Sequence, residues 1–542
     1  MGDEGDPWAA ETGNQITAMM PYYEDSHVKL LCGDATTMLG TLPTGSVHCV
    51  VTSPPYWSLR DYHVDGQIGL EPTIELYVGR IVQVFQAVRR ILRDDGLCFV
   101  NLGDSYAGSG NGSNDHRAAG ASLSKGDEKY QGQKTGIVAG LKPLDLCNIP
   151  HRVAQALQAD GWYWRDAWHW VKRSPMPESL SGTRWERHRV KVAASARGSG
   201  YHAEAFEDEP QGARDGREFA NHAGEWQPCP GCAACTYQDQ PQRNGYVLRR
   251  GSWRYTSAVE YVFMFCKAPG YTAFQGQVRQ DLAESTLHDK RNGTGRHTQG
   301  EVHGTKYTND ESDGAAQPSW YRAKAFVNPE SGRNPRNYGF LSSEPMDVQR
   351  CAGCGRVYLG PELKRLPKTE VEIEDDDGGT TVKVVRRCKD CGSWELTSHF
   401  AAFPQDLVEP FIRVATSDRG VCSTCGSQWV PVVEKSPAYQ AIVDSAHNTE
   451  WYSNKDRDIK NGKTNSAMPE IKVLDYWPTC SCAAGASAPC VVLDPFCGTG
   501  TTMLAARKLG RRSIGIDLSG PYLDIAVRRL GDLRKSQMEM MV

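Results

Sequence analysis

Ser53-Pro54-Pro55-Tyr56 is a tetrapeptide able to work on an amine. Two consecutive prolines fix φ and remove two N–H donors, so the carbonyls there are held rigid and point outward. The Ser53 hydroxyl and the Pro54 carbonyl then form a pair of acceptors. An aryl amine delocalises its lone pair into its ring. Accepting both of its N–H bonds favours a pyramidal nitrogen and frees that lone pair to attack an electrophile. Tyr56 would stack on the ring that bears the amine. Taken alone, a Pro-Pro turn beside an aromatic is also common in plain loops.

Asp494-Pro-Phe-Cys-Gly-Thr-Gly500 is the second such cluster. Its two glycines let the backbone approach a ligand, and the helix that follows favours a carboxylate or phosphate at its N-terminus. Asp517 lies 23 residues beyond Asp494 and ends the next strand. An acid at such a strand tip normally holds ribose hydroxyls. The 18 cysteines form a third set, of which eleven fall in short spacings. In a chain that is not exported, such spacings favour metal over disulfide. Cys351, Cys354, Cys388 and Cys391 read as a zinc ribbon around a β-hairpin turning at Asp377-Gly378. Cys422, Cys425, Cys480 and Cys482 read as a second four-thiolate site. Cys229, Cys232 and Cys235 make a third, with His222 as the nearest fourth ligand. One to three zinc ions are expected, and they are structural because four thiolates leave no open position for water. The alternative is reduced thiols without metal. Cys497 reads as a packing residue, and Cys32, Cys49, Cys98, Cys147, Cys266 and Cys490 as core.

These residues need elements to hold them. VKLLCGDA from Val28 reads as a strand, ATTMLGTLP as a short helix and SVHCVVTSPPYW as a buried strand entering the double proline. Glu75–Leu92 carries helical spacing closed by Asp94-Asp95-Gly96, and LCFVNLGDSY is a strand. HRVAQALQADGW is a helix, and YWRDAWHWVK and residues 254–267 are strands. PCVVLDPFCGTGTTMLAARKLGRRSIGIDLSGPYLDIAVRRL is the clearest βαβ unit. Alternating strands and helices imply a parallel sheet and an α/β class. Residues 107–140 are rich in Gly, Ser and Asn and read as a loop.

The whole arrangement resembles the S-adenosylmethionine-dependent amino-methyltransferases of DNA, the N4-cytosine and N6-adenine enzymes. The resemblance rests on LLCGDATTMLGTLPTGSVHCVVTSPPYW, GQIGLEPTIELYVGRIVQVFQAVRRILRDDGLCFVNLGDSY, HFAAFPQDLVEPFI, DPFCGTGTT and GIDLSGPYLDIAVRRL. It implies a Rossmann-like doubly wound sheet. The catalytic motif precedes the cofactor loop by 437 residues. That order resembles the circularly permuted β group, in which target recognition lies between the two. By this resemblance Ser53, Pro54, Pro55 and Tyr56 are catalytic. The cofactor would meet Asp34, Phe403, Pro404, Asp494, Pro495, Phe496, Gly498, Gly500, Thr501 and Asp517. Ser at the first position of the tetrapeptide is commoner among cytosine-N4 enzymes, and Asp among adenine-N6 enzymes. N4 of cytosine is therefore the expected target, with the base flipped out of the duplex, and N6 of adenine the alternative.

The expected organisation is a loose tail at 1–26 and a catalytic half at 27–178. A target-recognition insert follows at 179–345, with strand 254–267 returning to the core. Then come a zinc-ribbon-like insert at 346–398, a cofactor segment at 399–420, a cysteine-rich insert at 421–484 and the cofactor-binding half at 485–542. Arg184, Arg187 and Arg189 with Trp185, His188 and Lys191, and Arg249, Arg250 and Arg254 with Trp253, are candidates for contacting double-stranded DNA. A solvated charged face is the plain alternative. Lys plus Arg is 61 and Asp plus Glu is 65, so a general basic nucleic-acid coat is excluded. The composition is not that of a collagen-like, disordered or coiled-coil chain. No apolar run reaches the roughly 18–20 residues that span a bilayer. The acidic, polar start is unlike a secretory leader, and a cytoplasmic protein of a prokaryote or phage is expected. The resemblance leaves room for a homodimer and for a cognate restriction system. A competing class is a zinc-containing nucleic-acid-binding protein with a degenerate core, against which the intact SPPY and DPFCGTG argue. An RNA target is a further alternative, although no RNA-binding signature is visible.

Overall fold

Short apolar runs alternating with amphipathic helices build one nine-stranded sheet. In chain order its strands are β1 (Tyr23–Glu24), β2 (Val28–Cys32), β3 (Val47–Thr52), β4 (Leu92–Leu102), β5 (Tyr163–Lys172), β6 (Val259–Cys266), β7 (Tyr338–Leu341), β8 (Val491–Asp494) and β9 (Arg512–Asp517). The helices are α1 (Ala35–Gly40), α2 (Ile74–Ile91), α3 (Ile149–Ala159), α4 (Gln405–Ala415), α5 (Thr501–Lys508) and α6 (Gly520–Met540). This computed structural model describes residues 20–58, 64–107, 140–142, 144–175, 182–187, 189–193, 224–228, 242–243, 246–249, 253–280, 335–342, 348–351, 354–374, 380–393, 396–398, 403–435, 471–482 and 487–540.

Across the sheet the order is β1-β2-β9-β8-β3-β4-β6-β5-β7. The five strands from β2 to β4 run parallel. β6 enters antiparallel between β4 and β5. Every residue of β3 is buried, as expected of a strand covered on both faces. One cover is α2, capped by Thr73, whose hydroxyl accepts the Leu76 N–H. Its buried Ile74, Tyr77, Ile81, Val84, Phe85, Val88 and Ile91 repeat at helical spacing. They pack with α3 and with Val50, Cys98 and Val100. The other face holds Leu407, Val408, Phe411 and Ile412 of α4 against Val51, Phe99 and Val262. Helices on both faces of a mostly parallel sheet make the doubly wound α/β architecture.

The chain leaves β8 through α5 toward β9 on one side, and leaves β3 through α2 toward β4 on the other. The loops after β8 and β3 therefore flank the point where strand order reverses, which is where such sheets bind ligands. One local expectation needs correction. Asp94-Asp95-Gly96 does not close α2 as a turn, because β4 begins at Leu92 immediately after the helix. An irregularity in the β3–β4 pairing, between the pairs Val47–Leu92 and Cys49–Leu97, absorbs these residues. Lys267 and Arg93 pair with the two acids.

Contacts divide the chain into two units, Met1–Ser174 with Ala258–Val542, and Pro175–Ser257. The second unit carries a small sheet of Arg184–Arg187, Tyr246–Arg249 and Gln242–Arg243. It also carries a pair formed by Arg189–Ala193 and Gly224–Pro228. In the first unit, Lys368–Glu374 and Thr380–Arg386 form an antiparallel hairpin whose register centres on residue 377. Among the described residues no helix is long and apolar enough to cross a membrane.

Candidate active site

Asp494 ends β8, and its carboxylate turns inward to 1% exposure. Thr52 Oγ1 on β3 donates to its Oδ1 at 2.6 Å, and Thr502 Oγ1 on α5 donates to its Oδ2 at 2.7 Å. The Phe496 amide adds a third donor at 3.1 Å. Burial pushes the carboxyl up to about 6 against these hydrogen bonds. Asp494 thus clips β8, β3 and α5 together beneath the loop. Within that loop Pro495, Gly500 and Thr501 are buried too, whereas Phe496 and Gly498 reach the surface. Gly498 and Gly500 have φ of 51° and 81°, the left-handed region that suits glycine. Nothing lies within 4 Å of where a Gly498 side chain would begin, so the backbone is open to a ligand there.

Asp517 ends β9 beside this opening. Its Oδ2 accepts the Gly498 N–H and its Oδ1 the Ser519 N–H, both at 2.8 Å. Burial holds this carboxyl up at about 6 as well. Asp34 sits at the start of α1, where its Oδ1 caps the helix by accepting from the Thr37 amide at 3.0 Å. Phe403 lines a narrow cleft with Val51, Thr52, Asn101, Val262 and α4, and Pro404 caps that helix. Cys497 is buried and its thiol is pushed well above its ordinary range by burial.

The tetrapeptide follows β3 directly. The Pro55 carbonyl is braced by the Tyr77 hydroxyl at 2.9 Å. Tyr56 is held at both ends. Gly103 presses on the Cδ2–Cε2 side of its ring, where an added Cβ would sit 2.6 Å from Cε2. Its hydroxyl donates to Glu260 Oε2 at 2.8 Å and accepts from Asn101 Nδ2 at 2.9 Å. Lys172 Nζ pairs with Glu260 Oε1 at 2.5 Å. Ser53 Oγ lies 3.4 Å from the Tyr56 hydroxyl and 3.5 Å from Asn101 Nδ2. Sequence reasoning missed Asn101, Glu260 and Lys172. A signal existed, since Glu260 is the one charged residue in the apolar strand Val259–Cys266 and a buried charge is costly without a purpose or partner.

The cysteines converge in two quartets. Cys351, Cys354, Cys388 and Cys391 bring their sulfurs within 4.8 Å of one another, and so do Cys422, Cys425, Cys480 and Cys482. Three of the Cys-x-x-Cys turns are followed by a left-handed glycine, Gly355, Gly392 and Gly426. Their amides return to the carbonyls of Cys351, Cys388 and Cys422, each at 2.9 Å. Cys425 is drawn down to about 6 by hydrogen bonding with Ser427. Four thiolates gathered this closely suit zinc. Cys229, Cys232, Cys235 and His222 lie outside the described residues. So does Arg250, and nothing is described of the Arg187, Arg189 and Arg249 side chains. The strand register does bring the two basic clusters together, pairing Arg184 with Arg249 and Trp185 with Leu248. Exposed Trp253 and Tyr255 meet edge to face at 4.8 Å in the same unit.

A model of the DNA methylase family matches residues 47–423 and 489–528. The Type II methyltransferase M.XycI of Xanthomonas campestris pv. cyanopsidis is 49% identical over 148 residues, 27% of this chain and 47% of its own. M.Cfr9I of Citrobacter freundii is 47% identical over 148 residues, with the same two shares, 27% and 47%. The chain spans about half the length of the curated relatives it matches. A solved structure of PvuII DNA methyltransferase (cytosine-N4-specific) overlaps 94% of this chain and 87% of its own, at 14% identity and a TM-score of 0.38.

Proposed function

The chain belongs to the DNA methylase family, and from that premise we propose that it methylates an exocyclic amine of a base in double-stranded DNA, N4 of cytosine before N6 of adenine. The observation that carries this reading is the meeting of two motifs. Thr52, the residue before Ser53, is hydrogen-bonded to Asp494, which opens the cofactor loop. An amine-activating tetrapeptide and a nucleoside-binding loop thereby share one crevice.

S-adenosylmethionine fits the residues present. Asp517 offers carboxylate oxygens to ribose hydroxyls, Gly498 leaves the backbone open, and Phe403 and Phe496 offer apolar surface. When bound it would supply an electrophilic methyl on a sulfonium, the sulfur keeping the electron pair of the S–C bond. The chain's residues do the rest. Ser53 Oγ and the Pro54 carbonyl accept the two N–H bonds of the base amine and aim its lone pair. Tyr56, fixed through its hydroxyl, offers its ring to the flipped base. The strand register sets Arg184 across from Arg249, so two basic residues occupy one place in this small sheet. With Trp185 and Trp253 exposed nearby in sequence, this unit is the proposed DNA contact. The choice of cytosine rests on Ser53, a neutral hydroxyl acceptor at the first position of the tetrapeptide. Each cysteine quartet is proposed to hold one structural zinc ion.

Incubation of double-stranded DNA with methyl-labelled cofactor tests the reading. Label should enter DNA, Ser53→Ala should lower transfer at least 100-fold, and digestion to nucleosides should yield N4-methylcytosine. N6-methyladenine alone would overturn the choice of base, and absence of transfer to any DNA the class of enzyme.

A further inference from the structure

We infer that Glu260 is the proton sink of the reaction, reached from the substrate amine through the hydroxyls of Ser53 and Tyr56. The inference rests on the amine-methylation reading above. Its basis is a continuous chain with consistent donor direction. Ser53 Oγ donates toward the Tyr56 oxygen at 3.4 Å, and Tyr56 donates to Glu260 Oε2 at 2.8 Å. The first link is long, as catalytic hydrogen bonds often are before a substrate tightens the site. Asn101 Nδ2 donates both to the Tyr56 oxygen and, at 3.1 Å, to Glu260 Oε2, which fixes the two acceptors. Lys172 neutralises the resting carboxylate, whose side chain is only 14% exposed and would be costly to bury alone.

Methylation creates the need for such a sink. As the N–C bond forms, the amine nitrogen becomes positively charged and must release one N–H proton. Ser53 Oγ takes that proton while its own passes to the Tyr56 oxygen, and the Tyr56 proton passes to Glu260 Oε2. The carboxylate becomes a carboxylic acid, and Ser53 and Tyr56 end as they began. Water recovers the proton between turnovers. A carboxylate at the first position of the tetrapeptide could keep the proton itself. A serine hydroxyl cannot, so a serine enzyme needs an acceptor behind it. Burial pushes the Tyr56 phenol well above its usual range, so it serves as a neutral hydroxyl that accepts and donates. Glu260 meets the substrate only through Tyr56 and is a positioning and relay residue.

Glu260→Gln keeps the shape and removes the base. Single-turnover transfer should fall about 100-fold, within the range of general-base contributions. The dissociation constants for cofactor by calorimetry and for duplex by anisotropy should stay within twofold of wild type. Added formate should restore at least tenfold, and combining the change with Tyr56→Phe should cost no more than Tyr56→Phe alone. Transfer within threefold of wild type, or a loss that formate leaves untouched, would overturn the relay. Should Glu260→Gln not fold, Glu260→Asp replaces it: a base held too short responds to formate, and damaged packing does not. Wild-type protein that methylates nothing would instead remove the underlying reading.

Discussion

At the scale of single residues, the two carboxylates at the proposed cofactor site divide the labour. Asp494 has its oxygens taken by Thr52, Thr502 and the Phe496 amide and acts as a clip. Asp517 faces the opening. Its carboxyl is held at about 6 by burial, and the ribose hydroxyls of the proposed cofactor would donate to the ionised form. Cofactor affinity should therefore be level above pH 6 and fall toward tenfold per pH unit below it, as calorimetry between pH 5 and 8 would show. Asp517→Asn should bind roughly 10–100-fold more weakly, the worth of hydrogen bonds to a charged group, with the pH dependence reduced. A wild-type profile that stays level to pH 5 would contradict this. Both acids were legible in the chain because a Gly loop and an acid at the next strand tip form a local pattern. Asn101, Glu260 and Lys172 were not. They come from three separate strands, and only the sheet order β4-β6-β5 brings them to Tyr56.

At the scale of elements, the two cysteine quartets differ in what they hold. The first packs its Cys351 and Cys388 with Tyr358, Leu363 and Leu366 in a small cluster of its own. Its Arg528–Glu362 ion pair with α6 is partly exposed and worth at most about 1 kcal/mol. The second is joined to the core. His48 on β3 reaches the Gly426 carbonyl at 2.9 Å through Nε2 and accepts the Val491 amide through Nδ1. That pairing fixes a neutral imidazole, and burial lowers its pKa to about 4. Gln428 bonds Ser417 and Ala415 at the end of α4. Cys425→Ser should therefore lower the core melting temperature by roughly 2–5 °C, the effect of about 2–3 kcal/mol in a unit of several hundred residues. Cys354→Ser should shift it by less than about 1 °C; equal shifts, measured by calorimetry, would refute the distinction. The strand and helix alternation was readable from periodicity. The short strand Tyr23–Glu24 was not, since two residues carry no period and pair only because β2 is there.

At the scale of the whole molecule, the sheet joins opposite ends of the chain. β2 and β3 are consecutive strands in sequence, yet β9 and β8 lie between them in space. A chain ending before β8 leaves a two-strand gap, with the facing edges of β2 and β3 unpaired and open to aggregation. Expressed alone, residues 1–484 should collect in the insoluble fraction, and co-expressing 485–542 should raise the soluble yield several-fold; a soluble, monomeric 1–484 would contradict this. The same gap sets a clock on synthesis. From Thr52 to Asp494 the ribosome adds 442 residues, which at about 5–20 residues per second takes roughly 20–90 s. Throughout that interval the strand carrying the tetrapeptide has at most one of its two neighbours. Chaperone capacity, more than codon speed in the first hundred residues, should then limit how much active protein a cell makes.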